Sequence, residues 1–148
     1  MRPTVFALFI LCAIGCALSV AGPADDACRL TESWAAGFNA NDPVALTKLY
    51  SPDTTALGLV SPSLVEGTDQ IRTYFSNLPG SGFKVSLGEM RAVTVGENLA
   101  LCTGFYDFVL VKDGRQVPVQ TRFSMLLARR DDGWLILHHH ASTRPTGR

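Results

Sequence analysis

The chain has 148 residues, 47% of them hydrophobic and 18% charged, with 13 basic and 13 acidic side chains. That size and apolar content suit one folded domain with a sizeable core, and they exclude a disordered segment. No run of Lys or Arg appears, and Arg129-Arg130 is followed at once by Asp131-Asp132, so the charge pattern argues against a nucleic-acid partner and against a membrane surface held by charge.

Met1 to Thr4 carries one cation, Arg2, and Val5 to Val20 is nearly uninterrupted apolar sequence ending in small residues. This is the layout of a secretory signal. Residues 1–21 are expected to be removed at Ser19-Val20-Ala21, with Gly22-Pro23-Ala24 as a second candidate site, leaving a domain over residues 25–145. The apolar run falls short of the ~20 residues that span a bilayer, which weakens a retained anchor. Ala13-Ile14-Gly15-Cys16 partly matches a lipoprotein box but lacks the Leu at its first position. A secreted or periplasmic location is therefore expected, ahead of a lipoprotein. Cys12 and Cys16 fall in the signal; Cys28 and Cys102 remain, and an oxidising compartment permits them one disulfide, with two buried thiols as the other outcome.

In chain order, Ala27, Leu30, Trp34, Ala35 and Phe38 recur at helical steps and predict a first helix. Asp42-Pro43 reads as an N-cap and first turn, and Val44, Leu46, Leu49 and Tyr50 continue it as a second helix. Thr54 to Val60 reads as a strand between Pro-containing turns, and Gly67-Thr68-Asp69 opens a third helix through Ile71, Tyr74 and Phe75. Four extended segments follow: Phe83 to Val95, Leu99 to Val111, Val117 to Arg129 and Trp134 to Ser142. Short Gly-containing connections, two of them Asp-Gly, predict antiparallel hairpins. The fold class is α+β: three N-terminal helices on a curled antiparallel sheet shaped as a half-open cone, whose mouth is a natural pocket.

Trp34-Ala35-Ala36-Gly37-Phe38-Asn39-Ala40-Asn41-Asp42-Pro43, Leu49-Tyr50-Ser51-Pro52-Asp53 and Gly67 with Ile71 to Phe75 resemble the helical half of the nuclear transport factor 2-like superfamily, a cystatin-like roll. Thr103-Gly104-Phe105-Tyr106-Asp107-Phe108, Thr121-Arg122-Phe123-Ser124-Met125 and Asp132-Gly133-Trp134-Leu135-Ile136-Leu137-His138-His139-His140-Ala141-Ser142 are similar to its branch named for the association domain of calcium/calmodulin-dependent protein kinase II. The branch commonly has Ser where this chain has Ala141. The resemblance implies the cone fold, self-association and a polar pocket.

If both Asp-Gly connections are three-residue loops, Val111 opposes Arg115 and Arg130 opposes Trp134. Alternation then groups Cys102, Gly104, Tyr106 and Phe108 with Arg122, Ser124 and Leu126 and with Ile136, His138 and His140, and Asp107 falls on the opposite face. A two-residue loop shifts the grouping by one and brings His139 beside Arg122 instead. On the first grouping Tyr106, Arg122, His138 and His140 line the pocket, Arg122 gripping a small anionic ligand or, alternatively, pairing with Glu66 or Asp69. Leu99, Leu101, Phe105, Phe123, Met125 and Leu127 fall on the outer face and predict at least a dimer. Only two of three consecutive His can share a strand face, so neither a metal nor another cofactor is expected. Two functions follow: a self-associating small-molecule-binding module, or a small isomerase, dehydratase or hydrolase with His140 as provisional base, aided by Tyr106 and Arg122.

Overall fold

The computed structural model describes residues 22–145; the expected signal segment lies outside the described residues. Four helices precede the long strands: α1 (Pro23–Cys28), α2 (Leu30–Asn39), α3 (Pro43–Thr47) and, after two strands, α4 (Gly67–Phe75). The expected first helix is broken at Arg29, so α1 and α2 are separate pieces. Trp34, Ala35 and Phe38, three and four residues apart, form the buried face of α2. Asp42 caps α3 as its residue type requires, its carboxylate accepting from the Val44 and Ala45 amides at 3.0 and 2.9 Å.

The early strand starts sooner than expected: β1 is Tyr50–Leu57, so Tyr50 belongs to a strand and not to the second helix. A two-residue strand, β2 (Val65–Glu66), leads into α4, and then β3 (Lys84–Gly96), β4 (Leu99–Lys112), β5 (Arg115–Arg130) and β6 (Gly133–Thr143) form the expected meander. The sheet order is β2-β1-β6-β5-β4-β3, with β1 parallel to β6 and all other neighbours antiparallel. First and last strands thus lie side by side. The sheet is curled but not closed, with α1 and α2 against β3 and β4, and α4 against β1.

Both hairpins are tighter than three residues. Lys112 pairs with Arg115, because Asp113 and Gly114 both take positive φ (51° and 72°) and make a two-residue turn that matches strand twist. This moves β5 by one position against β4: Tyr106 lies opposite Thr121, and Phe105 opposite Arg122. Arg130 pairs with Gly133, which would move β6 as well, but Leu137 is an extra residue between the pairs Leu127–Ile136 and Leu126–His138. The bulge restores the register beyond it, so Arg122 does share a face with His138 and His140, as expected, but not with Tyr106.

The concave side carries the core. Trp34 sits at its centre, stacked on Phe38 and on Tyr106 with centroids 5.3 and 5.6 Å away, and Tyr106 stacks in turn on Phe123 at 4.7 Å. Phe123, Met125 and Leu127, expected outside, are buried in this core. A disulfide joins Cys28 of α1 to Cys102 of β4, Cα atoms 5.4 Å apart, and fastens the first helix to the sheet.

Candidate binding site in the cone

Four elements each send one polar side chain to the base of the cone: Trp34 from α2, Tyr50 from β1, Tyr106 from β4 and His139 from β6. Trp34 Nε1 donates to Tyr50 Oη at 2.9 Å; Tyr50 Oη lies 2.9 Å from His139 Nδ1, and Tyr106 Oη lies 3.0 Å from His139 Nε2. Both imidazole nitrogens are therefore engaged. Above this chain opens a cavity of about 320 Å³, walled by Phe38, Ile71, Phe75, Leu78, Phe108 and Leu110. At its mouth the Tyr74 hydroxyl lies across Gly58, where a Cβ would overlap it; only glycine leaves that space open.

Burial sets the protonation of the group. It drives His139 down from 6.5 to about 3, with the neighbouring His138 and His140 acting in the same direction. The imidazole is neutral at physiological pH. Burial likewise raises the Tyr50 phenol, against a pull in the other direction from the Trp34 hydrogen bond, and it raises Tyr106 well above the ordinary phenol range. A neutral imidazole between two protonated phenols can orient and polarise a bound group; it holds no proton that it readily exchanges near pH 7.

Of the residues singled out in the sequence, Tyr106 stands in the cone. Arg122, His138 and His140 lie on the outer face of the sheet: Arg122 is exposed and its Nε donates to Ser142 Oγ at 3.1 Å, His138 Nδ1 lies 2.8 Å from Thr55 Oγ1, and His140 pairs across strands with Ser124. The cause is the two-residue turn at Asp113-Gly114, which takes Arg122 away from the Tyr106 face. The expected ion pair with Glu66 or Asp69 does not form either: among the described residues Arg122 makes no salt bridge, and Asp69 is held by Arg72 at 2.8 Å. The three His do not converge, and among the described residues no three His, Cys, Asp or Glu side chains come together as metal ligands. Tyr50, Trp34 and His139 had not been singled out as ligands. For His139 the available signal was a two-residue turn at Asp113-Gly114; no hairpin bears on Trp34 or Tyr50.

A curled six-stranded sheet over a cavity, with helices on its inner side, is the cone of nuclear transport factor 2-like proteins. A protein of that family from Streptomyces avermitilis, described as a dehydratase, superposes with a TM-score of 0.73 over 84% of this chain and 97% of that one, at 16% identity, which shows the fold alone. A structure from Xanthomonas campestris, described as a calcium/calmodulin dependent protein kinase II association domain, superposes with a TM-score of 0.77 at 29% identity, covering 88% of this chain and 94% of that one. This chain belongs to the calcium/calmodulin dependent protein kinase II association domain family, whose pattern matches residues 24–145. The calcium/calmodulin-dependent protein kinase type II subunit delta of Oryctolagus cuniculus is 31% identical over 124 residues, 80% of this chain but 23% of that protein. The chain thus spans less than a quarter of that relative's length.

Proposed function

We propose that this chain is an exported, self-associating module that binds a small molecule inside its cone. The carrying observation is the 320 Å³ cavity, whose walls are apolar and whose base is the chain Trp34–Tyr50–His139–Tyr106. Few convergent polar groups in an apolar concavity is the usual make-up of a ligand site. Export is supported by the charged, apolar and small-residue order of residues 1–21 and by the Cys28–Cys102 disulfide, which suits an oxidising compartment. Self-association is supported by membership in an association-domain family and by the outer face, where Leu101 opposes Leu126 and Phe105 is exposed. That apolar area is smaller than expected from sequence, because Phe123, Met125 and Leu127 turn inward.

Binding is favoured over turnover for one reason. His140, the provisional base, is on the outer face away from Tyr106, and His139, which replaces it in the cone, is held neutral with both nitrogens occupied. Native mass spectrometry of the secreted protein tests the proposal. The expected spectrum shows an oligomer carrying a small-molecule adduct that is lost on denaturation; a bare monomer at micromolar concentration would defeat both halves.

A further inference from the structure

The hydrogens around His139 can be counted. Three contacts join Trp34, Tyr50, His139 and Tyr106. A neutral imidazole has one N–H, so these side chains carry four donor hydrogens: the indole N–H, two phenolic O–H groups and one imidazole N–H. Three contacts consume three of them. One phenolic hydrogen is left over whichever tautomer His139 adopts. Among the described residues neither phenol oxygen meets a further acceptor.

The position of the surplus hydrogen follows from Trp34, which can only donate. Tyr50 Oη accepts there, which makes its own O–H the better donor, to His139 Nδ1; Nε2–H then donates to Tyr106. Each link polarises the next in one direction. The opposite tautomer would place two donors on Tyr50 Oη and leave that same group's hydrogen without an acceptor. In the one-way chain the surplus hydrogen belongs to Tyr106, whose side chain is 1% exposed and forms part of the cavity wall.

No Lys, Arg, Asp or Glu lines this cavity, and Asn77 is exposed at its rim. A carboxylate there would meet only phenolic donors, Tyr106 at the base and Tyr74 at the mouth, in an apolar enclosure without a cation, which does not repay its lost hydration. An ammonium would meet no anion. An uncharged acceptor loses little hydration and gains the phenolic donor at the base, Tyr106. The volume lies at the small end of ligand pockets, in the range of a one- or two-ring molecule.

We propose that the cone selects an uncharged, largely apolar molecule of one or two rings bearing a hydrogen-bond acceptor, a ketone or ester carbonyl, which accepts from the Tyr106 hydroxyl. This rests on the cone being a ligand site, and it corrects the anionic ligand expected from Arg122.

Calorimetry with three probes of one shape tests it: 2-acetylnaphthalene, the hydrocarbon 2-isopropenylnaphthalene and the anion 2-naphthoate. The wild-type protein should bind the ketone about tenfold tighter than the hydrocarbon, and the anion at least tenfold more weakly than the ketone. Tyr106→Phe should erase the preference for the ketone and leave hydrocarbon affinity within about twofold. Equal wild-type affinities for ketone and hydrocarbon would overturn the assigned donor while leaving the cone a ligand site. Tightest binding of naphthoate would overturn the neutral-ligand class. If none of the three binds, the cone as a ligand site fails together with this inference. The wild-type comparison decides even if near-UV circular dichroism shows that Tyr106→Phe is misfolded.

Discussion

His139 Nδ1 lies 2.9 Å from the Tyr50 hydroxyl although 89 residues separate them in the chain. Both are buried, so the proton that an unfolded chain would place on this imidazole below pH 6.5 is refused by the native state until about pH 3. Between those values the unfolded chain binds more protons than the folded one, and stability falls as pH falls. It is fully present above pH 6.5. Denaturant melts at pH 7.5 and 4.5 should differ by about 2–3 kcal/mol from this group, and His139→Gln should remove most of that difference. A wild-type protein equally stable at both values would mean that His139 is not held neutral in the core.

The Cys28–Cys102 bridge closes a separation of 74 residues. Chain-entropy considerations give such a loop roughly 4 kcal/mol of stabilisation, exerted on the unfolded state. Cys28→Ala with Cys102→Ala should lower the melting temperature by about 15 °C. Thiol alkylation checks the premise directly: oxidised native protein should take up no label at either position without reductant.

At Gly104 a Cβ would overlap the Glu89 carbonyl oxygen and stand 2.9 Å from Met90 Cα, because β3 bulges between Leu87 and Met90 and bends into that space. All the nearest atoms are β3 backbone, at Glu89 and Met90, so no side chain is free to yield. Gly104→Ala should therefore cost about 2–3 kcal/mol, measurable by urea unfolding, and should loosen amide protection along β3. A variant as stable as wild type would show that the bulge is free to move.

Arg122 is exposed, with Ser142 as its hydrogen-bond partner. Arg122→Met should change stability by no more than about 0.5 kcal/mol and should leave 2-acetylnaphthalene affinity unaltered. Loss of that affinity would return Arg122 to the cone; loss of several kcal/mol would reveal a buried partner.

The order of elements could be read from residue patterns, since Asp113-Gly114, Asp42-Pro43 and the Trp34–Phe38 spacing each have a local physical cause. The faces were not legible. They depend on whether an Asp-Gly hairpin holds two or three residues, and on a bulge at Leu137 among residues that alternate equally well without it. A one-residue error inverts a strand. It placed Arg122 inside and Phe123 outside, the reverse of what burial shows. Tyr50 was hidden differently: it follows Leu46 by four residues, a helical interval, and only its pairing with Ile136 makes it a strand residue. That pairing is long-range and has no local signature.

The parallel alignment of β1 with β6 means that no contiguous half of the domain contains the site. Trp34 and Tyr50 come from its beginning, Tyr106 from the middle and His139 from the last strand. A chain halted before β6, or one in which β6 has come away, keeps four helices and the β3–β5 meander but lacks His139 and the strand that joins β1 to β5, so the cavity floor is incomplete. A ligand of this cone would therefore bind only the completed topology, and by mass action it would stabilise the whole domain and not one part of it. Occupancy becomes a gauge of whether the first and last strands have met.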